Sequence, residues 1–175
     1  YTISASAVAN GSITPSGAVS VNHGSNQAFA IAPSAGYHID SVLVDGVRVD
    51  STTSYTFINV TTGHSIRAVF RINQYVIVSS AGINGVISPV GSVGVNHGSS
   101  QIFTITPSAG YHVDSVLVDG IRVDSTTSYT FVDVTTNHTI RAVFRINQYA
   151  IIALAGPNGV ISPEGTISVN HGSSQ

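Results

Sequence analysis

Cysteine, lysine, methionine and tryptophan are all missing from this 175-residue chain. Without Cys there are no disulfides, no thiolate chemistry and no zinc–thiolate sites. The absence of Lys removes Lys–Asn and Lys–Asp isopeptide cross-links, so mechanical robustness has to come from hydrogen-bonded strands and packing. Charge is also scarce. Only 8% of residues are charged, against about 25% in ordinary soluble domains. Six Arg stand against eight acids for a net charge of -2, with no run of either sign. That balance leaves no basic footprint for nucleic acid and no polybasic membrane patch. No apolar run approaches the ~18 residues that span a bilayer. The polarity comes instead from 41 Ser plus Thr and from Asn and Gln.

The chain is organised by repetition. Tyr1, Tyr75 and Tyr149 open three copies spaced by 74 residues. VNHGS recurs at Val21, Val95 and Val169, PSAGYH at Pro33 and Pro107, SVLVDG at Ser41 and Ser115, and IRAVFRINQY at Ile66 and Ile140. The two full copies, 1–74 and 75–148, differ at 20 of 74 positions. The third, 149–175, holds 27 residues. The start at Tyr1 and the partial third copy are read as a processed product or a window on a longer array.

Within a copy the pattern is strand after strand. Tyr1 to Ala7 runs to Asn10-Gly11, a two-residue signal for a type I′ hairpin with Ser12 to Pro15 as the return arm. Gln27 to Ile31 alternates Phe29 and Ile31 with small or polar residues, as a half-buried strand does. Tyr37 to Val44, Asp45-Gly46 and Val47 to Val49 form a second expected hairpin. Ser54 to Val60 and Ser65 to Ile72 are expected to form a third. No window of helical length carries an apolar stripe at 3.6 spacing. A domain of this size buries only about 60% of its unfolded surface, so neighbours matter to its stability.

The junction between copies has no Gly, Ser or Pro. Ile66, Ala68, Phe70 and Ile72 share one face of the closing strand, whereas Tyr75 and Ile77 carry the apolar positions of the next. The parity changes at Asn73-Gln74, so an extended chain turns its core-facing side over there. The same residues recur at the second junction as Phe144, Ile146, Asn147, Gln148 and Tyr149. One strand from Ile66 to Ser79 serving two cores in turn spans about 46 Å at about 3.3 Å per residue. A rise of about 40 to 50 Å per repeat is expected if it lies near the long axis of an elongated array. Such a strand would fix the angle that a flexible linker leaves open.

The run from Tyr1 through NGSITPSG, VNHGSNQAF, PSAGYHIDSVLVDG, TSYTFINV and GHSIRAVF resembles the divergent form of the internalin B-repeat. The likeness covers both full copies and the start of the third. NHTI stands at Asn137 to Ile140, and the first copy departs with GHSI. The resemblance implies tandem small domains that are β-grasp-like or all-β. It also implies no catalytic residues, no cofactor, and a role as spacer, stalk or adhesive element outside bacterial or archaeal cells.

The residue types of several reaction and binding sites are present. Ser, His and Asp are present, but no GxSxG elbow exists and the residues sit in turn-like positions. His23, His38 and His64, with His97, His112 and His138, lack the i, i+4 or short-loop spacing of a zinc site. Asp40, Asp45 and Asp50 recur every five residues and are weak calcium candidates, since an odd spacing on one strand points neighbours to opposite sides. Tyr1, Tyr37 and Tyr55 could line an aromatic platform for sugars or pack in core and interface. Asn10, Asn59 and Asn137 begin N-x-Ser/Thr sequons, and the Ser/Thr-rich turns at Ser51 to Ser54 and Ser125 to Ser128 could carry O-linked sugar. The expected partners are neighbouring repeats, copies of the same chain in a fibre, and glycans. The leading expectation is a non-enzymatic extracellular shaft. The alternative is a polyvalent adhesion module that reads glycan or protein through its repeated turns.

Overall fold

The computed structural model describes residues 1–175, which form strands and no helix. The chain divides into two compact units, Tyr1–Gln74 with Asn96–Gly98, and Tyr75–Val95 with Ser99–Gln175. The mainly β reading with small tandem domains therefore holds.

In unit 1 the strands are β1 (Thr2–Ala7), β2 (Gly11–Thr14), β3 (Gly17–Ser20), β4 (Gln27–Pro33), β5 (Tyr37–Val44), β6 (Val47–Val49), β7 (Ser54–Phe57) and β8 (His64–Ile72). They make a five-stranded sheet in the order β3-β1-β8-β5-β6 and a three-stranded sheet in the order β2-β4-β7. β1 and β8, the first and last strands, pair in parallel, and the other pairings are antiparallel. Strand alternation puts Ile3, Ala5, Ile66, Ala68 and Phe70 on one face, and they meet Ile13, Phe29, Ile31 and Phe57 from the smaller sheet in a single core. Phe29 is 1% exposed and meets Phe57 edge to face with centroids 5.9 Å apart. Burying one such ring stabilises the fold by roughly 1.5–3 kcal/mol.

Unit 2 repeats the plan with β9 (Gln74–Ala81), β10 (Gly85–Ser88), β11 (Gly91–Asn96), β12 (Gln101–Pro107), β13 (Tyr111–Val118), β14 (Ile121–Val123), β15 (Ser128–Phe131) and β16 (His138–Ile146). Its sheets run β11-β9-β16-β13-β14 and β10-β12-β15. β17 (Gln148–Ala153), which begins at the last residue of the second copy, and β18 (Gly165–Asn170) of the third pair antiparallel.

Two expected hairpins do not form. β1 and β2 flank Asn10-Gly11 but belong to different sheets, β2 pairing with β4. Asn10 has the positive φ of a turn residue, 74°, whereas Gly11 continues into β2. The glycine answers a different demand, because a Cβ at position 11 would overlap the Phe70 ring, and one at Gly85 the ring of Phe144. Ser54–Phe57 likewise pairs with β4, while β8 lies between β1 and β5 in the other sheet. The Asp45-Gly46 hairpin forms as expected, with φ of 49° and 80° at its two turn residues, the left-handed pair that a type I′ connection requires.

The change of parity is present. Ile66, Ala68 and Phe70 are buried in β8, whereas Ile77 and Ser79 are buried in β9. The continuous strand expected from Ile66 to Ser79 is interrupted, however, because Asn73 lies outside both β8 and β9. Its backbone N–H and carbonyl are engaged outside the ladder.

Candidate functional site

The Asp45-Gly46 turn holds the residues that most resemble reaction machinery. His64, the first residue of β8, places Nδ1 2.7 Å from Asp45 Oδ2, and the Ser65 N–H donates to Oδ1 at 2.7 Å. The imidazole lies over Phe57 with centroids 4.8 Å apart. These contacts hold the Asp45 carboxyl below its ordinary value, the His64 hydrogen bond contributing most and the Ser65 N–H next. Asp119, His138, Thr139 and Phe131 repeat the arrangement. There Thr136 Oγ1 stands 3.3 Å from His138 Nε2, which completes an Asp–His–hydroxyl sequence. The hydroxyl bond is long for activating a nucleophile, and the Asp119 side chain is 45% exposed, so water screens the pair. The geometry ties a turn to the start of the closing strand.

The other candidates are dispersed. Asp40 Oδ1 pairs with Arg71 Nε at 3.2 Å, Asp45 is committed to His64, and Asp50 stands beyond the end of β6. No three of His, Asp and Glu converge as metal ligands. The calcium candidates are thus separated, Asp40 lying at the bulge where β5 pairs with β8, Asp45 in the β5-β6 turn and Asp50 past the end of β6. His38 donates to Asn73, and His23 lies against Tyr1 with centroids 5.8 Å apart. Tyr55 packs on Phe57 at 4.9 Å, and Tyr37 faces Ile72 across β5 and β8, so the three tyrosines serve different contacts. Asn10, Asn59 and Asn137 are exposed. Asn137 also has a structural bond, its Oδ1 accepting the Val76 N–H at 2.8 Å.

A tighter constellation lies where one copy passes into the next, and unit 2 contains it whole. The Asn147 N–H donates to Gly110 O at 2.8 Å, and Asn147 O accepts the His171 N–H at 2.8 Å. The Asn147 side chain accepts from His112 Nδ1 at 2.8 Å. Beside it Gln148 Nε2 donates to Asn170 Oδ1 at 3.0 Å. The His171 ring occupies the space above Gly110, whose φ of 81° and missing Cβ are both needed there. Tyr149 flanks the same ring. One asparagine thus joins the PSAGYH turn of its own copy to the VNHGS turn of the following one.

Unit 1 contains the same set. Asn73 bonds Gly36 O and accepts from His97, His38 bonds Asn73 Oδ1, Gln74 bonds Asn96, and the His97 ring covers Gly36. Asn96–Gly98 belong to unit 1 for this reason, although they lie within the second copy. Of the residues named for the junction, Asn73 with Gln74 and Asn147 with Gln148 and Tyr149 take part in these contacts, whereas Phe70 and Phe144 pack on Gly11 and Gly85 within their own copies. Gly36, His97, Gly110 and His171 were missed. The only signal for them in the chain is that VNHGS and PSAGYH recur together, without any indication that they touch.

A family model described as the divergent InlB B-repeat domain matches residues 1–74 and again 75–148, so the chain belongs to that family, a non-catalytic structural type. Comparison with curated proteins gives no match. Among solved structures, a tandem from titin is 8% identical over 81% of this chain and 62% of its own, with a TM-score of 0.17. The chain thus spans less than two thirds of that structure's length.

Proposed function

We propose that this divergent B-repeat chain is a non-enzymatic structural protein of the cell exterior, working as a stalk or filament shaft whose first partner is its own neighbouring repeat. The observation that carries the reading is the seat of His171 on Gly110 around Asn147. A connection of one residue, bonded through both backbone groups and its side chain, leaves little of the freedom that a Gly/Ser linker provides. The lack of cysteine and lysine agrees with cohesion through packing and backbone pairing. Family membership supports the surface location. Sugars on Asn10, Asn59 or Asn137 belong to the same reading, since a surface poor in charge needs another source of hydration.

The test is insertion of Gly-Gly-Ser after Asn73. Small-angle scattering is expected to show a broader range of dimensions while circular dichroism stays unchanged. Identical scattering from both proteins would count against the shaft. Intact-mass measurement on native material reports the sugars.

A further inference from the structure

All six cations of the chain lie on the five-stranded sheets. Arg67 and Arg71 alternate with buried Ile66, Ala68 and Phe70 on β8, so they occupy the outer face. Cross-strand register puts Arg48 and Arg67 on either side of Leu43, and Ser6 beside Arg67. The row Arg48–Leu43–Arg67–Ser6 therefore crosses four strands, with the two arginines two strand spacings, or about 10 Å, apart. Unit 2 has the same row in Arg122–Leu117–Arg141–Ser80.

The local partners leave these cations available. Arg48 donates to the Asp40 backbone carbonyl, not to a carboxylate. Arg71 meets Asp40 through Nε, and its side chain remains 69% exposed. Arg67 and Arg141 make no ion pair. Asp45 is occupied by His64 and the Ser65 N–H, and Asp50, just past the end of β6, lines the same depression as Arg48 without forming an ion pair with it. Around Arg141 the surface forms a depression of about 310 Å³ lined by Val78, Ser80, Leu117 and Thr139.

We propose that the outer face of each five-stranded sheet binds an acidic polysaccharide, its carboxylate or sulfate groups meeting the paired arginines while Leu43 or Leu117 underlies a sugar ring. A guanidinium binds such oxyanions through two parallel N–H donors. Ser, Thr and Val around the row supply hydroxyl partners and apolar contact of the kind a pyranose presents. Nucleic acid fits less well. Its phosphates call for a denser cationic track, and single-stranded forms call for aromatic platforms, whereas each row has two arginines with one Leu between them and Ser at its end. Because each full copy carries one row, affinity is expected to grow with copy number. The proposal goes beyond the shaft reading and stands without it.

The experiment uses the full chain with heparin and polygalacturonate as probes, dextran as the neutral control and single-stranded DNA as the competing polyanion, measured by calorimetry at low and physiological salt. Binding to heparin or polygalacturonate that weakens with salt, exceeds DNA binding, and falls about tenfold or more in the Arg67→Gln/Arg141→Gln double variant is the expected result. Both positions are exposed, so circular dichroism of the variant is expected to match the parent. No binding to either acidic polymer at low salt, equal binding by the variant, or tighter binding to DNA each overturns the assignment. A variant that misfolds is replaced by Arg48→Gln/Arg122→Gln, which is held to the same criterion.

Discussion

The ring of Phe70 lies against the Cα of Gly11, in the space that any side chain at position 11 would occupy. Phe144 does the same over Gly85. The closing strand of each copy thus reaches back to the start of its second strand. Gly11→Ala is expected to push the ring out of place and cost about 1–3 kcal/mol by overpacking. Phe70→Ala removes a 9% exposed ring and is expected to cost about 3–5 kcal/mol. Urea titration checks both, and a loss under about 1 kcal/mol for Phe70→Ala would place that ring outside the core.

Gly110→Ala affects the junction and not the core. The φ of 81° disfavours any residue with a Cβ, and His171 occupies the site of that Cβ. A cost of roughly 1–3 kcal/mol is expected. Amide exchange should locate it, with the His171 and Asn147 N–H groups losing protection while core amides such as Ile140 keep theirs. Uniform loss across unit 2 would mean that the socket supports the whole fold.

Acid weakens the Asp–His clip in a definite direction. Asp45 and Asp119 have folded-state values below the ordinary 3.8. Their contribution is therefore fully present above the unfolded value and fades as pH falls through the folded one. Urea midpoints are expected to decline below about pH 4, and less steeply in the Asp45→Asn/Asp119→Asn double variant. Both groups are largely exposed, so added salt should shrink the difference. Parallel pH profiles for parent and variant would remove the clip from the account of acid sensitivity.

Calcium is expected to have no structural role. Asp40 is committed to Arg71 and Asp45 to His64. The thermal midpoint should be the same in millimolar calcium and in EDTA. A rise of several degrees with calcium would reveal a site built from other oxygens.

Much of this molecule is written locally. Alternation at Phe29 and Ile31 marks a strand and its buried face, because successive side chains point to opposite sides. Asp45-Gly46 specifies its turn, because few residues adopt positive φ at both positions. The shift of the apolar set from even to odd numbers places the change of core at Asn73 without reference to anything distant.

Pairing was decided elsewhere. Asn10-Gly11 carries a hairpin signature, yet β1 lies parallel to β8 and β2 joins β4, because the two strands contribute to the two different sheets that close the core. Periodicity tells which face a residue takes and nothing about its neighbour across the ladder. Gly11 meets a ring 59 residues away, and Gly110 meets His171 after 61. The sequence by itself determined the repeat, the strands, their buried faces and the turn at Asp45-Gly46, since each depends on backbone preferences and side-chain alternation over a few residues. Only the tertiary structure decided why Gly11 and Gly110 are glycines, and that Asn147 binds one copy to the next, since those choices depend on atoms that distant strands bring together.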